Sequence, residues 1–168
     1  PVSRGTRTLS SLAALPAPLM RPRAADPRLG HFVQSAHDYS TPTERDTRRY
    51  VINRWRLDKK DPAAERSEPV KPIVFWVDRN TPPRYRQALV DGVQEWNKAF
   101  ERIGFVNAIQ ARQEPEDAPL DLMGLQHASI RWFLDNDEGA LAIGPSVTDP
   151  RTGEIIDADI AISDGWAR

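Results

Sequence analysis

The chain has no cysteine, which excludes disulfides and thiolate-held metals but leaves its compartment open. It has no excess of either charge: 23 lysines and arginines face 24 aspartates and glutamates. That balance argues against a general nucleic-acid partner or a charged membrane surface. No apolar run is long enough to form a membrane-spanning helix. There is no Gly-rich phosphate loop, no G-x-S-x-G elbow and no basic-aromatic stripe. Histidine is scarce, and His31, His37 and His127 offer no H-x-x-x-H pair that would set two imidazoles one helical turn apart. An internal zinc site is therefore not expected, and surface or core positions are the simpler reading of all three.

Proline, by contrast, is plentiful: the fifteen prolines lie mostly between periodic stretches and mark element ends. At 168 residues the chain can bury a real core, with one domain and an appendage as the natural expectation. It begins Pro1-Val2 without a methionine and reads as a piece of a longer protein. Leu9 to Leu19 has some signal-peptide character, but Pro16 and Pro18 interrupt it.

The organising stretch is Val70 to Phe105. Ile73-Val74-Phe75-Trp76-Val77 is apolar without alternation, as in a strand buried on both faces inside a parallel sheet. Thr81 is a candidate helix cap, with Pro82 or Pro83 as the first helical residue. Tyr85, Leu89, Val93, Trp96, Phe100 and Ile103 follow at spacings of three and four, on one helical face. Gly104 is placed to end the helix in a left-handed turn, with Phe105 folding back on it. A second strand is expected at once, over Val106 to Gln110. The unit is βαβ.

Around it, Gly30 to Gln34 and Arg49 to Leu57 read as short strands outside the main sheet. Residues 1–69 read as a linker and the end of a preceding domain, and 70–168 as the main unit. Downstream, Ser129 to Leu134, Ala140 to Val147 and Glu154 to Ser163 are strand candidates, the last two joined as a hairpin by TDPRTG, residues 148–153. The expected fold class is α/β of the mixed α+β kind: a five-stranded twisted sheet, one long packed helix and an antiparallel C-terminal edge hairpin.

Candidate chemistry is sparse. The acidic turn Asp135 to Gly139 could offer oxygens to Ca²⁺ but lacks the spacing of a calcium loop, so a solvated turn is the simpler reading. Asp157, Asp159 and Asp164 could support a site, yet alternation on a half-exposed strand accounts for the first two. Trp76, Trp96 and Trp132 sit in strand or helix patterns and are expected in the core.

Taken together, the helix VDGVQEWNKAFERIGF, the strand ASIRWFLD and the stretch ALAIGPSVTDPRTGEIIDADIAIS resemble the N-terminal half of a zincin protease domain. The likeness is to large bacterial zinc-dependent metalloproteases related to the matrixin-like metzincins. GPSVTDPRTGEII is its most specific motif. MRPRAADPRLGHF and YVINRWRLDKKDP resemble the junction with an upstream domain. The resemblance implies a twisted sheet whose antiparallel edge strand, Ala140 to Ser146, lines a substrate cleft. The backbone of Leu141, Ala142, Ile143 and Gly144 would hold an extended peptide or protein substrate, because an open edge offers unpaired N–H and C=O groups. Pro145 cannot donate and limits pairing there.

Zincins bind Zn²⁺ through H-E-x-x-H on a helix beyond these strands, where the glutamate activates the metal-bound water. This chain has neither the histidine pair nor the glutamate. The resemblance thus implies zinc in a parent enzyme, no metal or catalytic residue here, and an inactive fragment whose partner is the rest of its protease domain. An exported location is implied by the same likeness. Without the metal-bearing helix, part of one sheet face should be left apolar and open. Two other readings use the same residues: a non-catalytic peptide-binding module, or a small-ligand domain with its site at the carboxyl ends of the parallel strands, near Asp78 to Thr81 and Asp135 to Gly139.

Overall fold

The computed structural model describes residues 10–41, 43, 45–117, 120–134 and 142–167. The elements are β1 (Val33–His37), β2 (Arg48–Ile52), β3 (Ile73–Val77), α1 (Pro83–Glu95), α2 (Asn97–Arg102), β4 (Ile109–Gln113), β5 (Ser129–Phe133), β6 (Ala142–Ile143), β7 (Ser146–Thr148) and β8 (Ile155–Ser163). A 3-10 turn over Asp164–Ala167 follows. β1 and β2 make a small antiparallel sheet, and the main sheet has the order β4-β3-β5-β8-β6, with β7 also on β8. Pairing is parallel from β4 to β8 and antiparallel where β6 and β7 meet β8. This is the mixed α+β architecture that the patterning predicts, with the expected edge strand broken in two at Gly144-Pro145. Among the described residues no helix is long and apolar enough to cross a membrane.

β3 is central, but it is not buried equally on both faces. Ile73, Phe75 and Val77 are buried, while Val74 and Trp76 on the other face are half-buried. Ile73 and Phe75 join Ile109, Ala128 and Ile130 in the core, and Leu89, Val93 and Phe100 of the helices pack on this cluster. A strand next to one helix layer needs full burial on that side alone.

The helix begins as the double proline dictates. Pro83 is the first helical residue, where a missing N–H costs nothing, and Pro82 is the cap. Thr81 does not cap: it lies one residue too early, its N–H is tied to the Asp78 carbonyl, and its buried hydroxyl finds no partner. Trp96, expected in the core, is 63 % exposed because it sits at the break between α1 and α2. Gly104 ends α2 with φ +84°, and the Phe105 N–H donates to the Phe100 carbonyl at 3.0 Å, closing the helix as expected.

β4 starts at Ile109, three residues later than the apolar run suggests. Asn107 takes a positive φ of 53°, which turns the chain out of any strand. The Asn97 side chain then grips both sides of Ile109, donating to its carbonyl at 2.9 Å and accepting from its N–H at 3.1 Å. β1 likewise lies at Val33–His37 rather than Gly30–Gln34.

Candidate functional site

Among the described residues β6 pairs on one side only and forms the antiparallel edge of the main sheet. Ala142 pairs with Ile162 and Ile143 with Ala161, so β8 occupies one side of the strand only. Both residues are exposed, Ile143 to 63 %. Of the four positions expected to hold a peptide, Ala142, Ile143 and Gly144 lie along this edge, while Leu141 lies outside the described residues. The edge then turns through Gly144-Pro145 and pairs with β8 again as β7, with a register shift between Val147 and Thr148. The Pro145 carbonyl accepts from the Asp159 N–H at 3.1 Å, so the break remains attached to the sheet.

Beside this edge an apolar groove runs between α1 and the sheet. Tyr85, Leu89, Trp132, Ala142, Ile160 and Ile162 line the part nearest β6. It continues under Ala88, Gly92, Val93 and Trp96. Tyr85 stacks on Trp132 with ring centroids 5.2 Å apart, giving the near end an aromatic wall. No residue of α1 or α2 is fully buried, although their apolar face points at the sheet. One helix layer is too narrow to cover β3, β5 and β8 together.

GPSVTDPRTGEII has a physical job in the turn between β7 and β8. Asp149 is fully buried and accepts from the Arg151 N–H at 2.9 Å and from its guanidinium at 2.6 and 2.9 Å. That guanidinium holds the Asp149 carboxyl below the usual carboxylate range. Gly153 has φ +71°, and a Cβ there would collide with the Ile52 carbonyl oxygen. The turn can therefore nest against the chain leaving β2: Arg54 N–H donates to the Gly153 carbonyl and Ile155 N–H to the Arg54 carbonyl, both at 2.9 Å. Arg56 clasps Glu154 with two bonds, at 2.9 and 2.7 Å. The sequence reading missed this set, Arg54, Arg56, Asp149, Arg151 and Glu154. Its visible signal was the charge density of RWR and DPRTGE on either side of an otherwise apolar unit.

Strand β8 carries a second surprise. Alternation predicts a half-exposed Asp157, yet it is 3 % exposed and one carboxyl oxygen has no hydrogen-bond partner. β7 covers it from the side, with Val147 directly opposite. Burial, helped by the nearby Asp159 charge, pushes its pKa up, and His127 pulls weakly the other way. Asp159 itself accepts from the Ser129 hydroxyl on β5 at 2.5 Å.

The three histidines stand apart. His31 and His37 are exposed, His37 stacked on Tyr39, and His127 meets Trp76 edge-on at 6.2 Å. Among the described residues no three His, Asp or Glu side chains converge where they could hold a metal ion. The acidic turn Asp135 to Gly139 lies outside the described residues.

Residues 5–60 match a family described as a domain of unknown function, DUF5117. The match stops short of β3, so it takes in the small sheet and the chain before it but no strand of the main sheet. No curated protein and no solved structure matches the chain.

Proposed function

We propose that this chain supplies the sheet and the substrate-side edge of a zinc-dependent peptidase domain, binding an extended peptide along β6. The observation that carries the reading is the antiparallel edge Ala142–Ile143, open on one side, at the end of an otherwise parallel sheet. An extended peptide adds to such an edge through main-chain hydrogen bonds, which need no polar side chains from Ala142, Ile143 or Gly144. The apolar groove beside the edge supports the same reading. Its floor of Ile160 and Ile162, and its wall with the small residues Ala88 and Gly92, suit an amphipathic helix laid alongside α1. That is where the metal-bearing helix of the domain belongs.

The residues described do not themselves fit zinc, since no ligand set converges among them. In this reading the chain holds the peptide and seats the helix. Two measurements test this. The chain alone and a longer version continuing past Arg168 are assayed for bound zinc and for chelator-sensitive cleavage of a peptide library. Zinc and cleavage in the longer version only are expected. If neither version binds zinc or cleaves, but the edge still captures extended peptides, the domain is a non-catalytic binding module. Failure to capture peptides as well removes both readings.

A further inference from the structure

The segment before β1 is held on the fold in an unusual way. Three arginine side chains donate to its backbone carbonyls: Arg151 to Pro16 at 3.4 Å, Arg56 to Pro18 at 2.7 Å and Arg54 to Arg21 at 2.7 Å. Next along the segment it joins the free side of β2. Ile52 N–H donates to the Arg23 carbonyl and Ala25 N–H to the Tyr50 carbonyl, both at 3.0 Å, and Ala24 bridges Val51. Met20 is the one buried side chain of the stretch, and nearly all the others are exposed. Residues 16–25 are thus gripped through their main chain and one anchor.

The gripping arginines belong to two separate elements. Arg54 and Arg56 follow β2, whereas Arg151 sits in the β7–β8 turn, where Asp149 fixes it; Arg56 is also clasped to Glu154 on the far side of that turn. β1 adds a fourth tie, the Gln34 side chain donating to the Thr148 hydroxyl at 2.5 Å. The strap, the chain after β2 and the hairpin turn therefore share one network of charged donors.

We propose that residues 16–25 are a latch that holds the β7–β8 hairpin in place, so that release of the strap loosens the hairpin and with it the sheet edge. The strap's hold is made of a few exposed-side hydrogen bonds and a single methionine, which is the low-stability end of a fold, where local opening occurs without global unfolding. The latch concerns the hairpin alone. Only its consequence, that strap release would alter peptide capture, rests on the reading of β6 as a peptide edge.

Hydrogen–deuterium exchange on the full chain, with no peptide present, tests the latch apart from that reading. Two variants attack it from opposite sides without altering a side chain of the hairpin, and Arg54→Lys keeps the backbone bonds of residue 54 to Gly153 and Ile155. Met20→Ser removes the anchor, and Arg54→Lys is too short to reach the Arg21 carbonyl. Each is expected to speed exchange at least tenfold both in residues 16–25 and in residues 146–156, with β3, β5 and α1 unchanged. Faster exchange in the strap with an unchanged hairpin overturns the proposal. Should Met20→Ser loosen the whole chain, Arg54→Lys, which alters no core side chain, decides the matter alone.

Discussion

Asp157 ties stability to pH in a direction opposite to Asp149, Glu68 and Asp38. Its folded pKa is raised by burial and by Asp159. Below the ordinary aspartate value of 3.8 it is protonated whether the chain is folded or not, and its stability contribution is fully present. As pH rises, the unfolded chain ionises first, and that contribution is lost on passing through the raised folded value. Asp149, Glu68 and Asp38 behave inversely, since their pKa values are lowered by Arg151, Lys60 and Ser40 respectively. Urea midpoints compared between the wild type and Asp157→Asn isolate the one group. The variant should be the more stable at pH 7, with the difference vanishing near pH 3. A constant difference across that range would show that Asp157 is not the titrating group.

Gly153 makes the second prediction at this scale. A side chain there meets both a left-handed backbone and the Ile52 carbonyl. Strain of this kind costs about 1–3 kcal/mol. A thermal melt of Gly153→Ala should fall by roughly 2–12 °C, given that about 1 kcal/mol moves a chain of this size by 2–4 °C. An unchanged melting temperature would mean that the turn does not nest as described. Neither residue was legible in sequence. Alternation sets Asp157 on the face opposite Ala158 and Ile160 but says nothing of β7 beside it, which buries it, and a glycine after Arg-Thr signals a turn without telling what the turn packs on.

Among the elements, the helix and its stop were readable because their causes are local: the double proline, the apolar face at three- and four-residue spacing, and Gly104. β4 was misplaced because its register is set from a distance. Asn97, on the helix, supplies the Ile109 N–H and C=O with partners that a strand would otherwise provide. The pattern of Val106, Ala108 and Ile109 cannot reveal a polar clasp twelve residues away. Asn97→Ala leaves two half-buried backbone groups without these bonds and should destabilise the chain by about 1–3 kcal/mol. Equilibrium urea unfolding measures it, and a loss under about 0.5 kcal/mol would show that water replaces the clasp. The edge strand divides for a local reason that the sequence does display, Gly144-Pro145, where no N–H is offered by the proline.

At the scale of the molecule, the sheet order could not be read from the chain, because parallel neighbours are chosen by how the crossovers pack. An open apolar face was expected only from the resemblance, which implies a further helix that would cover part of the sheet. The groove that results gives a prediction with two opposed halves. Gly92 sits within α1 with nothing within 4 Å of a Cβ built on it. In this chain Gly92→Ala should therefore gain stability, by roughly 0.5–1 kcal/mol, through helix propensity alone. Gly92→Phe fills the groove where a second helix would lie, and in a longer version of the chain it should abolish zinc-dependent cleavage while leaving the short chain folded. Circular dichroism melts of the short chain and peptidase assays of the long one separate the two effects. If Gly92→Phe leaves the longer version fully active, no helix rests on this part of α1, and the open face must serve some other contact. If Gly92→Ala destabilises the short chain, the groove is already filled there by residues of the chain itself.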